Sequence, residues 1–448
     1  MAQIDLLSLL IPYGQRQLKV KAKANGYTDS DMSNVVTYNS RPHINRKDGT
    51  TLQITNCRAA ATNYEIYLDG TKVGDAAYSG ADGGTLDVDV SSLGFTQDAI
   101  NKVYVKGTGT DVEGNQSETL GFWYGNNIVL GVSGLYQSEP ALTRTDDAVG
   151  LTWAMSNNVI SSDFDNKFPY NQMQRETIDG DVFVYIPEMH WRIGYDSNKN
   201  ITDIAVAPLE MTAGENQVVA HSDAFYYGAY GATYVNNQMR SVASGARGGS
   251  RTISSNRTLA NARGAKYRQL DLYHMRILDF LWLIEFATKN SEAVMWGLTN
   301  YGQTCGATDG LTAPSAQLSN QGRMRWRYIE DFIGNGLEWI DGVYGLYIKH
   351  SESDYGETNT GDSKPAVSGQ ELSALQIDEN YPLHAYPGAS VSNGSYNTYF
   401  CDYGCLTSGY VYYRGRYGSY ASNGLFYWSN ANTSNTNANF GSRLLLTL

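Results

Sequence analysis

The C-terminal stretch 420–448, YASNGLFYWSNANTSNTNANFGSRLLLTL, carries the pattern that decides the fold of the second half of this chain. An aromatic cluster, Phe426-Tyr427-Trp428, is followed by polar residues from Ser429 to Asn439 and then by the apolar run Leu444-Leu445-Leu446. A disordered tail would stay polar to its end. The stretch therefore predicts a polar surface segment held between two buried anchors, of which LLLTL is the last strand.

The polar part of this stretch divides into two predicted halves. Residues 427–432 begin within the aromatic cluster, and we expect them to belong to an exposed contact face. Residues 433–439 are expected to be a constant polar framework that leads back to the core. The predicted boundary lies near Thr433.

The composition is acidic and rich in tyrosine. The 448-residue chain has a formal net charge of -12, whereas nucleic-acid-binding domains concentrate lysine and arginine on one face. It contains 34 tyrosines against 12 phenylalanines, and tyrosine suits binding surfaces better than cores because its rigid ring has a polar tip. No stretch is apolar over the length of a membrane span. We therefore expect a binding protein without nucleic-acid binding or membrane insertion.

The first part of the chain reads as a small β-sandwich. One face of a predicted strand carries Tyr64, Ile66 and Leu68, which stand two residues apart. The strand ends at Asp69-Gly70, a strong hairpin turn signal. Polar turn residues separate further alternating segments on both sides. The pattern predicts an immunoglobulin- or fibronectin-III-like domain over 39–127.

The segment before this domain repeats part of its plan. Residues 16–38 and 102–123 each show a strand rich in lysine and valine, a polar Gly/Asp turn and a closing apolar strand. This similarity indicates a duplicated module. We expect residues 1–38 to be a partial β module or an attachment segment.

From residue 128 onward, glycine, serine and asparagine connect fewer recognisable elements. Alternation in DVFVYIPEMHWRIGY, 181–195, predicts a central strand or a hairpin. One helix is predicted near 270–290, and apolar residues around most of its circumference indicate that it is buried. His274 on this helix is interpreted as a surface or core histidine rather than a ligand.

An arginine-rich tract at 240–268 allows two interpretations. Its arginines stand among glycine and serine, as in RNA-binding segments. In an acidic protein, however, arginines that pair with backbone carbonyls and carboxylates inside an irregular domain are the better explanation.

Three landmarks follow one another in the second half of the chain. They are the helix segment LWLIEFATKNSEA, the segment YIEDFIGNGLEWIDGVYG at 328–345 and the C-terminal segment YYRGRYGSYASNGLFYWSNANTSNTNANFGSRLLL at 412–446. Within them stand Gly334-Asn335-Gly336-Leu337-Glu338-Trp339, Arg414-Gly415-Arg416 and Gly441-Ser442-Arg443. In this order they resemble the C-type-lectin-like fold that formylglycine-generating sulfatase-modifying enzymes share with phage tail adhesins.

A closer resemblance is to the target proteins of diversity-generating retroelements, which include phage tropism determinants. It is carried by Cys401-Asp402-Tyr403, by Gly424 to Trp428 and by Gly441 to Leu445. The resemblance implies an α+β chain: the N-terminal β-sandwich, then a loop-rich mixed α/β C-type-lectin-like domain over 128–448, with a variable region at about 390–443. It also implies that mutation of template adenines has replaced asparagine codons by codons for tyrosine, serine and others.

The chain departs from the enzymes of this family. Their catalytic cysteines fall between the second and third motifs, where this sequence has none, and RGRY replaces their RGG motif. A thiol is required for metal-thiolate or nucleophilic oxidation chemistry. We therefore expect no enzyme activity, and a formylglycine-generating-type oxidase is the weakest alternative.

Residues 390–439 have the composition of an antibody paratope, with tyrosine, asparagine, serine and glycine dominant. Together with the resemblance this predicts a receptor-binding protein of a phage tail fibre or tail tip, located on the virion. The predicted contact residues are Tyr410, Tyr412, Tyr413, Arg416, Tyr417, Ser419, Tyr420, Asn423, Tyr427, Asn430 and Asn432. Predicted framework residues are Trp339, Phe426 and Trp428 in the core, and Gly424 and Gly441 where the backbone needs freedom.

The predicted partners are a host cell-surface glycan or protein and other virion tail proteins, and the resemblance implies a homotrimer. The alternative is a non-diversified carbohydrate-binding or structural module of a tail or of a bacterial surface. We expect no cofactor and no catalytic metal. Structural calcium stays open, because CDYG, DGVYG and ESDYGETNTGD offer oxygen ligands without a regular spacing. Cys401 and Cys405 are either a disulfide or free thiols, and two thiols alone do not make a zinc site.

Overall fold

In the computed structural model, the described residues are 15–18, 36–39, 41–109, 115–318, 322–392, 395–416, 418 and 422–448. The chain divides into two units, Met1–Asn127 and Ile128–Leu448. In the part of the chain so described, no helix has both the length and the apolar character that a membrane crossing requires.

The first unit contains a β-sandwich. Ile44, Leu52 and Ile54 of one antiparallel sheet and Ile66 and Val105 of a second share one buried core. Strand alternation explains this, because every second side chain points inward. The first sheet consists of strands His43–Arg46, Thr51–Cys57 and Gly84–Asp89. The second consists of strands Leu120–Tyr124, Ala99–Gly109, Ala61–Leu68, Thr71–Ala77 and Asn115–Gln116.

The hairpin predicted at Asp69-Gly70 is confirmed. Leu68 pairs with Thr71 across the turn, and both turn residues have positive φ, 48° for Asp69 and 84° for Gly70. Positive φ at both central residues is typical of two-residue hairpin turns, because the backbone twist of these turns matches the twist of the flanking strands. Before the sandwich, Gln15–Leu18 pairs antiparallel with Val36–Asn39; the rest of the predicted 1–38 module lies outside the described residues.

The second unit is mainly β, so the α+β prediction is wrong. Its described residues contain two α-helices, Ile253–Asn261 and Leu272–Phe286, and short 3-10 turns at Asp163–Asn166, Tyr170–Gln172, Ser291–Ala293 and Glu352–Asp354. The segments expected to be loops form many strands of two to seven residues instead. Such strands carry too few alternations for a period-two signal, and their glycine and asparagine turns resemble loop composition.

One nine-stranded sheet dominates this unit. In spatial order its strands are Asp362–Ser363, Tyr347–Ile348, Gly336–Tyr344, Val411–Arg416, Trp428–Ala431, Tyr403–Leu406, Val367–Asp378 and Tyr381–Val391, with Phe440–Gly441 parallel to Gly336–Tyr344. The unit also contains three five-stranded sheets, each given in spatial order. The strands of the first are Thr143–Asp146, Leu130–Ser133, Ile201–Ala207, Met189–Tyr195 and Gln217–Ser222, and those of the second are Trp153–Ser156, Val159–Ser162, Ala316–Gln317, Met324–Trp326 and Ile329–Glu330. The strands of the third are Arg175–Ile178, Asp181–Ile186, Phe225–Gly228, Leu444–Thr447 and Tyr267–Gln269. Thr233–Val235 and Gln238–Arg240 form a hairpin.

The longer helix is the predicted buried one. It spans Leu272–Phe286, and 14 of its 15 residues are buried. Asp271 caps its N-terminus by accepting a hydrogen bond from the backbone N–H of His274, and Ala287 ends it in the left-handed conformation. His274 is buried, contacts Asp271 through Nδ1 at 2.8 Å and packs against Phe225. The prediction of a core histidine is therefore confirmed.

The alternating segment 181–195 forms two strands but not a hairpin. Asp181–Ile186 and Met189–Tyr195 are central strands of two different five-stranded sheets, and the chain passes from one sheet to the other at Pro187. The apolar finish is confirmed as the last strand. Leu444–Thr447 lies between Phe225–Gly228 and Tyr267–Gln269 and pairs antiparallel with both.

The arginines of the 240–268 tract are used inside the fold. Arg257 binds Asp341 with two nitrogens at 2.6 and 2.8 Å, and Arg263 binds Asp181 at 2.6 Å. Arg247 is buried and donates to the carbonyls of Asn335 and Leu337. These contacts confirm the preferred interpretation of internal pairing.

Candidate binding site

Three of the sequence motifs meet at one buried carboxylate. Glu338, 3% exposed, accepts hydrogen bonds from Arg443 Nε at 3.0 Å and from Arg414 Nε at 3.3 Å. Arg247 lies 3.6 Å from it. Burial alone would raise the pKa of Glu338, but these guanidinium groups hold it below the usual value. The Glu-Trp, Arg-Gly and Gly-Ser-Arg motifs are therefore parts of one charge cluster.

The buried helix joins the same cluster. Arg414 Nη1 donates to Asp279 at 3.0 Å, and its Nη2 donates to the hydroxyl of Tyr227 at 2.9 Å. Arg276 binds the other oxygen of Asp279 at 2.8 Å. These pairings offset part of the desolvation of the cluster and hold the strands that carry it in fixed positions.

Strand Val411–Arg416 separates this cluster from the opposite face of the sheet. Arg414 enters the charge cluster, whereas Tyr413 on the other face packs against Trp339, with ring centroids 5.9 Å apart. Tyr412 lies on the side of Arg414 and is fully buried. Its hydroxyl accepts from the N–H of Thr407 and donates toward the carbonyl of Gly345 at 2.8 Å. Strand periodicity thus decides which tyrosines face outward.

The outward face carries a concave site of about 680 Å³, here called the Tyr/Asn cavity. Its lining combines tyrosine rings, asparagine amides and serine hydroxyls with a few apolar groups. The lining residues are Leu337, Tyr403, Tyr410, Tyr413, Ser422, Asn423, Tyr427, Ser429, Asn430, Ala431, Asn432, Asn435, Asn437, Asn439 and Phe440. None of these described lining residues is charged, so the cavity offers rings and neutral hydrogen-bonding groups.

Three tyrosines form the aromatic floor of the cavity. The ring centroid of Tyr427 lies 5.9 Å from that of Tyr403 and 6.1 Å from that of Tyr413. Phe440 meets Tyr413 edge-on at 4.7 Å and stacks on Trp339 at 4.4 Å. Burial raises the pKa of Tyr403 to about 12 and also raises the pKa of Tyr427. Their phenols are therefore neutral at physiological pH and can both donate and accept hydrogen bonds.

The polar rim does not divide at Thr433 as predicted. Asn435, Asn437 and Asn439, which fall in the expected framework half, line the same cavity as Asn432. Their backbone does have a framework role, since the carbonyl of Asn439 accepts from Leu337 N at 2.8 Å. The side chain of Asn439 thus lines the cavity while its backbone belongs to the framework. A single boundary in the sequence cannot separate these two roles.

The loop before Trp428 is fixed by Asp402. Its buried carboxylate accepts from the backbone N–H groups of Gly424 and Phe426, at 2.5 and 2.9 Å. A Cβ at Gly424 would lie 2.8 Å from this carboxylate and would also meet Ser291 Oγ; one at Gly441 would lie 2.6 Å from the carbonyl of Gly248. Neither glycine has positive φ. Close approach, rather than the predicted backbone freedom, explains both glycines.

We expect Asp402 to make stability depend on pH. Burial raises its pKa to about 8, against the opposing effect of the two N–H donors, whereas an aspartate in an unfolded chain titrates near 3.9. Between these values the folded state binds more protons than the unfolded state, so stability falls as pH rises, by up to about 1.4 kcal/mol per pH unit. Chemical denaturation from pH 5 to 8 should show this slope reduced in Asp402→Asn, and parallel profiles would contradict it.

The predicted aromatic framework residues and the two neighbouring cysteines are all buried. Trp339, Phe426 and Trp428 are all buried, as predicted. Cys401 and Cys405 are free thiols, and burial raises their pKa values to about 12 and about 11. Both are protonated at neutral pH and are poor nucleophiles.

The carboxylates considered for calcium have protein partners. The oxygens of Asp402 accept backbone N–H groups, and those of Asp341 accept from Arg257, Gln269 and the N–H of Gly342. Asp362 lies 2.9 Å from His350 Nε2. We therefore do not propose calcium at these positions.

The structure brings six of the predicted contact residues together in the Tyr/Asn cavity: Tyr410, Tyr413, Asn423, Tyr427, Asn430 and Asn432. It places Tyr412 and Arg416 elsewhere. Tyr412 is part of the buried framework, and Arg416, 8% exposed, forms an ion pair with Glu292. Tyr417, Ser419 and Tyr420 lie outside the described residues.

Several lining residues were missed by the sequence prediction. The sequence marks Tyr403 only as part of the Cys401-Asp402-Tyr403 motif. Asn435, Asn437 and Asn439 line the cavity from a segment of turns, where strand alternation gives no signal of a shared face. Leu337 and Phe440 had no signal either, because only the parallel pairing of their strands brings them to the cavity.

The sequence matches no protein-family model, and no curated protein matches it. Among solved structures, the chain is similar to PvdO from Pseudomonas aeruginosa, with 11% identity and a TM-score of 0.28 over 62% of this chain and 99% of that one. It is also similar to Treponema denticola variable protein 1, with 12% identity and a TM-score of 0.29 over 61% of this chain and 98% of that one. At such TM-scores neither likeness assigns a function to the chain.

Proposed function

We propose that this chain is an adhesin-type binding protein whose ligand occupies the Tyr/Asn cavity. The observation that supports this most directly is the lining: tyrosine rings below and asparagine amides at the rim, with no charged group among the described lining residues. Such surfaces recognise partners through ring contact and adaptable hydrogen bonds. Catalysis would require titratable groups set for proton transfer or nucleophilic attack.

The framework below the cavity favours binding by a preformed surface. Trp339 packs against the lining residues Tyr413 and Phe440 from beneath, and Glu338 ties the strands on either side to the core. A rigid site loses little conformational entropy when a ligand binds. Substitution at the rim residues Asn430 and Asn432 leaves these contacts untouched, so the same framework is compatible with many rim sequences.

The finer proposal is a receptor-binding protein of a phage tail fibre or tail tip, diversified by a retroelement. It rests on the resemblance of the landmarks and on the Tyr/Asn/Ser composition of the cavity. The ligand would then be a host cell-surface glycan or protein, and homotrimers on a virion would raise modest single-site affinity through effective concentration. Neighbouring DNA should encode a reverse transcriptase and a near-repeat of the 3′ coding end that differs at adenines.

A carbohydrate-binding module without diversification is the second candidate. The absence of charge among the described lining residues favours neutral sugars, whose apolar faces pack on tyrosine rings while their hydroxyls bond to amides. Absence of the reverse transcriptase and of the repeat would favour this candidate. The oxidase alternative loses support from the raised thiol pKa values of Cys401 and Cys405.

The proposal is tested by binding of the intact labelled chain to bacterial cells and to immobilised neutral glycans. We expect saturable binding that weakens at least about tenfold in the double variant Tyr410→Ala/Asn432→Ala, because both side chains line the cavity. Tyr136→Ala, at a side chain that is 42% exposed and does not line the cavity, is the matched control. Equal binding by the double variant and the wild type would contradict the assignment of the site.

A further inference from the structure

A second polar site lies on another sheet of the same unit. Strands Met189–Tyr195 and Gln217–Ser222 pair antiparallel in a register that sets His190 directly opposite His221, with ring centroids 4.9 Å apart. Glu188 approaches the same pair, and its Oε1 lies 2.7 Å from His221 Nε2. One ligand atom from each of the three residues lies within 4.8 Å of the other two.

We propose that Glu188, His190 and His221 bind Zn²⁺. Two imidazole nitrogens and one carboxylate oxygen form a donor set that this ion accepts in proteins. Bonds of about 2.0–2.1 Å put tetrahedral ligand atoms about 3.3 Å apart, so small side-chain rotations suffice to close the site. Glu188 and His221 are exposed, which gives the ion a route from solvent.

The surroundings of the histidine pair fit this assignment. Asp223 Oδ1 lies 3.7 Å from His221 Nδ1, on the ring nitrogen that does not face Glu188. Metal-bound histidines commonly direct their second nitrogen to a carboxylate, which orients the ring.

The site opens on a histidine-lined cleft. Glu188 and Asp223 line a cavity of about 940 Å³ together with His274, His350 and His384, and His221 lines an adjoining one of about 240 Å³. A three-ligand zinc site keeps a coordination position for water or another donor. The cleft gives such a donor access to the ion.

A second cluster, His350, Asp362 and Asp378, is less suited to a cation. The ammonium of Lys364 lies 2.9 Å from Asp378 Oδ2, and its charge opposes a bound metal. The ring of His350 is stacked on Tyr381 with centroids 3.6 Å apart, which restricts its rotation.

The test is calorimetric titration of the intact, metal-free chain with Zn²⁺. We expect equimolar binding whose affinity falls at least about tenfold in His190→Gln and in His221→Gln. His43→Gln is the matched control, because His43 is also an exposed histidine beside a glutamate, 3.3 Å from Glu118, and it should bind as the wild type does. His350→Gln should likewise leave binding unchanged.

Two further readouts keep the result decisive if a histidine variant misfolds. Glu188→Gln alters an exposed side chain and should weaken Zn²⁺ binding while circular dichroism stays native. Co²⁺ bound in place of Zn²⁺ should give d–d absorption without a thiolate charge-transfer band. Absence of binding by the wild type, a thiolate band, or loss of binding in His350→Gln but not in His190→Gln would overturn the proposal.

Discussion

Glu338→Gln should lower the free energy of unfolding of the second unit by about 3–5 kcal/mol. Glu338 is buried and is shared by Arg414, Arg443 and Arg247. Glutamine keeps the shape but removes the negative charge that faces the buried guanidinium groups of Arg443 and Arg247, whereas Arg414 keeps Asp279 as a partner. The effect should appear in denaturant unfolding followed by tryptophan fluorescence, since every tryptophan but Trp123 lies in this unit.

Glu379→Gln is the matched control for this variant. Glu379 pairs with Lys199 at 3.0 Å at the protein surface, where both side chains are more than 40% exposed, and such pairs contribute little. We expect its unfolding midpoint to stay close to that of the wild type. Similar losses in the two variants would show that the buried cluster is not what holds the landmarks together.

Trp339→Ala should lower the free energy of unfolding by about 3–5 kcal/mol and disrupt the Tyr/Asn cavity. The indole is fully buried, stacks on Phe440, contacts Tyr413 and donates from Nε1 to the carbonyl of Arg251 at 2.9 Å. Its removal leaves the cavity floor without support. Ligand binding should therefore weaken even at temperatures where the variant is folded.

Trp296→Ala provides the comparison for this substitution. Trp296 is 56% exposed, and its truncation should change stability by no more than about 0.5 kcal/mol. Binding by this variant should equal that of the wild type. If Trp339→Ala retained full affinity while folded, the floor would not be part of the binding site.

Local patterns predicted those features that depend on neighbours in sequence. The hairpin at Asp69-Gly70, the buried helix Leu272–Phe286 and the last strand Leu444–Thr447 each follow from turn residues or apolar periodicity. The fold class was not predicted, because many strands are short and resemble loops in composition, and because some pairings join distant segments, such as Gly336–Tyr344 and Val411–Arg416.

The site was predicted in part for the same reason. The composition of the sequence located the binding surface, because tyrosine and asparagine are concentrated in the segment that forms it. It did not separate Tyr412 from Tyr413: strand alternation puts them on opposite faces, but which face is buried is decided by the charge cluster that Arg414 joins on the side of Tyr412. Glu338 and Arg443 stand 105 residues apart in the sequence. Their ion pair, which explains why both motifs are needed, could therefore be found only in the folded chain.

The central claim is that the Tyr/Asn cavity holds the ligand. The most direct measurement is a crystal structure of the intact chain bound to the glycan or receptor fragment selected in the binding screen. We expect ligand density against the rings of Tyr403, Tyr413 and Tyr427, with hydrogen bonds to the rim asparagines. Ligand bound elsewhere, for example in the histidine-lined cleft, with the Tyr/Asn cavity empty, would contradict the claim.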